Sequence, residues 1–372
     1  MTRALLLLLA TAAFARAAAI APGQQLAVPD NGAYLGAFID FGDTEDAVTL
    51  PAIERYEHLI GKHLAIVASS SYWGEQSFPA ANLELIARHG AVPLVFWSPW
   101  DQPYEQLKGP DRFSLDAILA GRWDAYIDKW AAGAAAFGRP MLVSFCNEMN
   151  GDWFPWSGTY YGDPSHAERV GARPLPGGGF AGPEEFKRAW RYVVDRVRAH
   201  GGTNIQWVFH ANNYSDPQEK WNAVEQYYPG SKYVDWLGLS IYGKQERNQD
   251  HWMDFDEDLL EEPYAFIGAV DPTKPIMIAE FGVGEFPDIG SKATWIAHAF
   301  ASMASPQYSR VKAAIYWNER WQNVDGTYSN LRVNSSLETL QAFRAGVATP
   351  HWLGAPVWKT PASAERKGEP SG

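Results

Sequence analysis

The sequence is short of cysteine, of positive charge and of long apolar runs, and each shortage removes a class of protein. Cys146 is the only cysteine in 372 residues, so no intramolecular disulfide can form and paired-thiol chemistry is excluded. Lys and Arg total 31 against 43 Asp and Glu, a formal net charge of −12, which argues against nucleic acid or an anionic membrane as partner. Beyond the first residues no apolar stretch reaches the roughly 20 residues of a bilayer span. The nine His form no HExxH and no closely spaced pair, there is no G-x-S-x-G elbow, and no Gly-rich phosphate loop follows the first strand. The expectation is therefore a monomer without metal or cofactor, and a neutral partner.

What is present begins with a leader. Met1-Thr2-Arg3, an apolar run from Ala4 to Ala13 and small residues around Ala15 to Ala19 make a signal peptide over residues 1–19, implying a secreted or periplasmic protein with no membrane attachment after processing. The body is 46% apolar and 20% charged, enough to build a sizeable core. Its 17 Trp, 17 Tyr and 18 Phe often sit beside Gly, Pro, Asn or Asp, where rings either fill the rim of a core or offer platforms for sugars.

Eight short apolar runs recur: 34–39, 63–68, 93–97, 140–145, 205–209, 234–241, 275–279 and 313–317. Helical periodicity lies between them over 50–60, 81–89, 125–137, 183–200 and 292–304. Continuous rather than alternating apolar runs are what burial on both faces of a parallel sheet produces. The pattern predicts an α/β fold, a (β/α)8 TIM barrel forming a single catalytic domain over 20–358, with an open doubly wound sheet as the alternative. A Gly/Pro-rich insertion from Gly171 to Gly182 and a polar tail over 359–372 read as loop and disorder.

Barrel enzymes carry reacting groups at the C-terminal ends of strands. Glu148 follows the fourth run within Asn147-Glu148-Met149-Asn150-Gly151-Asp152-Trp153, and Glu280 ends the seventh. Such a pair suits glycosidic cleavage, one carboxyl protonating the leaving oxygen and the other attacking the anomeric carbon; a strand-end Glu also commonly caps a helix or pairs with Arg. Asp101, Glu285 and Glu319 compete, although Arg320 directly after Glu319 suggests an ion pair. His210, with Asn212 and Asn213, either binds a hydroxyl or satisfies backbone groups.

The segment Asn147 to Trp156 resembles the acid/base segment of glycoside hydrolase family 26, which holds β-mannanases, some mixed-linkage β-glucanases and β-1,3-xylanases. Similar segments lie in order on either side of it: Gly121 to Ile127 before it, then Tyr228-Pro229-Gly230 with Tyr233 to Gly238, Ile278 to Gly282, and Asn334-Ser335-Ser336 leading into Leu340 to Phe343 after it. The resemblance covers roughly residues 30 to 345. It implies Glu148 as acid/base and Glu280 as nucleophile of a retaining mechanism, with the carboxyls about 5–5.5 Å apart. It further implies that Tyr242 hydrogen-bonds the nucleophile and that Trp153 and Trp317 wall the cleaving subsite, with Trp97 and Trp100 as further stacking candidates. Across the wider clan, the Asn at the position of Asn147 holds the sugar 2-hydroxyl. Burial beside Trp153 and the charge of Glu280 are expected to raise the pKa of Glu148.

Two positions depart from the pattern. Most members have His where this chain has Asn147 and Arg where it has Ser144. The expected activity is endo hydrolysis of a β-linked polysaccharide, most often β-1,4-mannan in this family, with β-glucan or a bacterial exopolysaccharide next. The two departures predict that plain mannan is not the best substrate. A noncatalytic sugar-binding barrel is the rival from another class.

Overall fold

The computed structural model describes residues 18–101, 112–161, 181–248, 251–323 and 325–359. The strands are β1 (Ala33–Ile39), β2 (Ile66–Tyr72), β3 (Val92–Ser98), β4 (Met141–Phe145), β5 (Ile205–Asn212), β6 (Trp236–Tyr242), β7 (Ile276–Gly282) and β8 (Val311–Asn318). Each pairs in parallel with the next, and β1 closes on β8 from Tyr34↔Ala313 to Ile39↔Asn318, so the sheet is a closed (β/α)8 barrel. Every residue of β1, β2, β3, β4 and β7 is buried, which explains why these strands read as unbroken apolar runs.

Helices pack outside the barrel between successive strands. In the helix Gly182–Ala199 the buried set Phe186, Ala189, Trp190, Val193, Val194 and Val197 recurs at helical spacing and forms the face turned to the sheet. Ser291 and Ser336 accept from the backbone N–H groups of Thr294 and Thr339, fixing the starts of Lys292–Met303 and Leu337–Val347. Gly90 and Gly138, both in the left-handed region, end the helices Ala80–His89 and Asp124–Phe137.

Three features lay outside the sequence pattern. β2 runs on through Ser69, Ser70 and Ser71, polar residues that suggest a loop but are buried in the sheet. A hairpin of β9 (Arg320–Gln322) and β10 (Tyr328–Asn330) follows β8, and β11 (Trp352–Leu353) adds to the start of β1. Most of the leader (1–17), most of the Gly/Pro-rich insertion (171–180) and the tail beyond 359 lie outside the described residues. No helix among the described residues is long and apolar enough to cross a membrane.

Folding also creates a His pair that spacing concealed. His63 Nδ1 and His89 Nε2 lie 2.8 and 2.9 Å from Glu57 Oε2, and Leu64 N–H donates to Oε1 at 2.9 Å. The three ligand atoms lie within 4.8 Å of one another, close enough for one cation, while their mutual hydrogen bonds already account for the cluster as a staple between the first two helices. Burial pushes the Glu57 carboxyl up, but the bonds from His89 and Leu64 and the neighbouring imidazoles outweigh it and hold the pKa below 4.5. A carboxyl depressed in the folded state stabilises above its unfolded pKa and loses that contribution as pH falls through the folded value. Glu57→Gln should therefore lower the thermal midpoint at pH 7, and the gap to the parent should close in melts recorded progressively below pH 4.5.

Candidate active site

The chain leaves β4 in a strained conformation. Cys146 and Glu148 adopt φ of 53° and 54°, a region that costs a non-glycine residue about 1–3 kcal/mol and persists only where its surroundings enforce it. Here the enforcement is visible. Glu148 N–H donates to the His210 carbonyl at 2.7 Å, Trp156 Nε1 donates to the Asn147 carbonyl at 2.6 Å, and Gly151 N–H returns to the Glu148 carbonyl at 3.0 Å. Asn150, wholly buried, donates to the carbonyls of Asn212 and Tyr214 at 3.1 and 3.0 Å and accepts from Asn212 N–H at 2.9 Å. The acid segment is thereby bolted to the end of β5.

Trp153 folds back over Gly151, where a Cβ would stand 2.5 Å from the indole ring, and its Nε1 donates to Glu148 Oε2 at 2.8 Å. Trp153 and Tyr214 are 36% and 48% exposed with ring centroids 6.4 Å apart, an aromatic ledge beside Glu148. Tyr214 follows β5 in a polar stretch and carried no signal of its own in the sequence.

Glu280 stands near the end of β7, where Tyr242 OH donates to its Oε2 at 2.8 Å and Asn147 Nδ2 approaches its Oε1 at 3.5 Å. The residue next to Glu148 thus reaches the second carboxyl. Burial raises the pKa of both. For Glu148 it is opposed by bonds from Ser240 and Trp153; for Glu280 it is reinforced by the charge of Glu148. Trp153 accordingly acts against the elevation that the sequence attributed to it, because its N–H stabilises the ionised form. Burial and the proximity of the two carboxyls thus both disfavour ionising them together.

Trp317, at the end of β8, is 7% exposed, stacks on Phe38 with centroids 3.9 Å apart, and donates through Nε1 to Glu319 Oε2 at 2.8 Å. Glu319 is not ion-paired to Arg320, whose guanidinium lies over the Tyr328 ring at 3.6 Å. Instead Glu319 feels the charges of Glu45 and Asp40, and burial followed by Glu45 pushes its pKa up to about 8. Glu45, drawn in from the β1 loop by Ser70 and Tyr72 hydroxyls at 2.8 and 2.7 Å, also acts on Glu280. Neither Glu45 nor the acidic character of this side of the site had a local sequence signal, since Glu45 follows its strand by six residues.

Other candidates fall elsewhere. Trp97 has no exposed surface: it stacks on Trp130 at 4.0 Å and donates to Tyr126 OH, in the helix layer and not in the cleft. Its position on β3 has the outward parity, which an apolar run cannot reveal. Trp100 is 8% exposed and packs edge-on against Phe154 and Trp156. His210 is 1% exposed between Ser144 and Ser240, beneath the site and out of reach of a sugar hydroxyl. Glu285 accepts from Ser335 and Thr339 at the start of the last helix, and Asp101 pairs with Arg112.

A closed (β/α)8 barrel with two buried carboxyls and an aromatic ledge at one rim is an arrangement suited to cleaving a glycosidic bond. The sequence model described as Glycosyl hydrolase family 26 matches residues 117–267. Endoglucanase H of Acetivibrio thermocellus is 28% identical over 353 residues, 92% of this chain, although the chain spans only 34% of that protein's length. A mannan endo-1,4-beta-mannosidase of Bacillus subtilis is 23% identical over 290 residues, 75% of this chain and 67% of its own. The solved modular endo-beta-1,4-mannanase of Cellulomonas fimi superposes with a TM-score of 0.61 at 21% identity, covering 87% of this chain and 72% of that one. Over residues 117–267 the chain is similar to glycoside hydrolase family 26.

Proposed function

We propose that the chain is a retaining endo-β-glycanase acting on a neutral polysaccharide after export, with residues 1–19 as the leader and 20–358 as the catalytic unit. The observation that carries this reading is the contact of Asn147 Nδ2 with Glu280 Oε1, 3.5 Å apart, together with the charge coupling of Glu280 to Glu148. In the first step the Glu148 O–H bond breaks and its proton passes to the glycosidic oxygen as Glu280 forms a bond to the anomeric carbon, whose bond to that oxygen breaks so that the leaving sugar departs as an alcohol. In the second, Glu148 takes a proton from water, which displaces Glu280 and restores both groups. Tyr242 orients the nucleophile, Asn147 is placed to meet the sugar 2-hydroxyl, and Trp153 with Tyr214 carries the leaving sugars.

Charge supports neutral sugars. Glu45, Glu280 and Glu319 act on one another on the nucleophile side, and Arg332, the cation that acts on Glu319, is paired with Asp40. A uronate would meet the negative charges of Glu45 and of Glu280 there, with Glu319 protonated below about pH 8. Between neutral polymers, similarity to an endoglucanase over 92% of the chain, and Ser144 and Asn147 in place of Arg and His, favour β-glucan; β-1,4-mannan is the second reading.

The test is reducing-end release from mixed-linkage glucan, mannan, xylan and an acidic exopolysaccharide, with the first-formed anomer read by proton NMR. We expect the β-anomer and activity confined to neutral polymers. An α-anomer as first product would sink the retaining mechanism, and no release from any polymer would favour a sugar-binding barrel. Because Glu319 holds its proton to about pH 8, its ionisation above that adds an anion beside the bound glycan. KM should rise above pH 8 in the parent and stay flatter in Glu319→Gln.

A further inference from the structure

Beneath Glu148 three side chains from adjacent strands make a buried polar chain that the mechanism above does not use. Ser144 on β4, His210 on β5 and Ser240 on β6 are at most 1% exposed. Ser144 Oγ lies 3.0 Å from His210 Nδ1, His210 Nε2 lies 2.8 Å from Ser240 Oγ, and the Ser240 hydroxyl is near enough to the Glu148 carboxyl to hold its pKa down. Space is reserved for the ring: Gly238 faces His210 across the β5–β6 ladder, and a Cβ there would come within 3.1 Å of His210 Cα and Cβ.

We propose that His210 is a positioning residue for the acid/base, acting through Ser240 to aim a single uncharged O–H donor at Glu148. The inference rests on the reading of Glu148 as acid/base, and hydrogen counting then fixes its direction. A serine hydroxyl has one hydrogen, so if Ser240 donates to the ionised carboxylate it must accept from His210, which places the ring proton on Nε2. Nδ1 is then a lone pair, and Ser144 must donate to it. The ring is neutral throughout, in keeping with burial that pushes its pKa down to about 3. His210 holds the same segment from its backbone, its carbonyl accepting Glu148 N–H at 2.7 Å.

An uncharged donor suits a group that must alternate between acid and base. A cation at this place would hold Glu148 ionised and weaken it as an acid, and an apolar contact would leave it too basic. The titratable groups on neighbouring elements that feel the charge of Glu148 are Glu280 on β7 and the phenol of Tyr214 after β5; neither belongs to the chain.

Two measurements on the full-length protein test this. Long-range proton–nitrogen NMR of the histidine rings should show His210 neutral at pH 5 and as the Nε2–H tautomer. Ser240→Ala should move the basic limb of the kcat/KM profile upward by about one pH unit, since a hydrogen bond to a charged group is worth roughly that much. It should lower kcat about tenfold and leave KM within about twofold, as loss of an interaction made by the reacting group requires. Ser240→Thr should restore the parent profile. An Nδ1–H tautomer, a protonated ring at pH 5, or a basic limb unmoved in Ser240→Ala would each overturn the proposal. Failure of the underlying reading would look different: Glu148→Ala would keep its activity while the tautomer of His210 stayed as stated.

Discussion

Glu280→Ala should lower kcat on polysaccharide by at least about 10⁴-fold, or about 5.4 kcal/mol of transition-state stabilisation, because it removes the group proposed to bond the anomeric carbon. Glu148→Ala should lose a similar factor on polysaccharide but far less on an aryl glycoside whose phenolate leaves without protonation. Azide separates the two variants by stereochemistry. In Glu280→Ala it attacks directly and inverts, giving the α-azide, whereas in Glu148→Ala it displaces Glu280 from the glycosyl-enzyme and gives the β-azide. Near-parental turnover of polysaccharide by either variant would remove that residue from the mechanism. The bonds from Tyr242 and Asn147 to Glu280 both favour its ionised form, which leaves the proton for Glu148 in the assignment made here.

The second large effect is expected at a residue that touches no sugar. Asn150→Ala removes the amide that accepts from Asn212 N–H and donates to the carbonyls of Asn212 and Tyr214, of which the Tyr214 carbonyl keeps Asn212 Nδ2 at 3.1 Å. Each buried backbone group left without a partner costs about 1–3 kcal/mol, and neighbouring losses partly relax together, so a net loss of about 3–5 kcal/mol is reasonable. Calorimetry should record a midpoint lower by on the order of 10 °C. Activity at low temperature should also fall, because Asn150 holds the strained turn on which Glu148 stands. A variant with parental melting and turnover would show that the turn is held by its remaining contacts alone.

The barrel was legible because a strand buried on both faces has to be apolar for most of its length, and all eight runs correspond to strands. Strand ends were less legible for the same reason. Where β2 and β5 approach the mouth they turn polar, at Ser69 to Ser71 and at His210 to Asn212, and a periodicity argument stops too early. Glu148 and Glu280 stood out through their neighbours. Ser240 and Glu45 could not, since a serine in a strand and a glutamate in a loop gain significance only when folding sets one against Glu148 and the other against Glu280. The departure at Ser144 was visible as a missing cation, but its physical sense required His210, which lies 66 residues further along the chain.

Trp153 shows how such an enzyme divides its freedom to change. Its N–H grips the Glu148 carboxyl, and under the proposed mechanism its ring faces the leaving sugars, so recognition and proton delivery would share one side chain. Any exchange there alters acid strength along with sugar preference, and selection on either property constrains the other. Tyr214 adjoins the same ledge, is nearly half exposed, and presents a phenol that stays neutral at working pH. Variation at 214 can reshape the distal surface met by the departing chain without retuning the chemistry. Adaptation to a new polymer therefore has an open route at 214 and a closed one at 153.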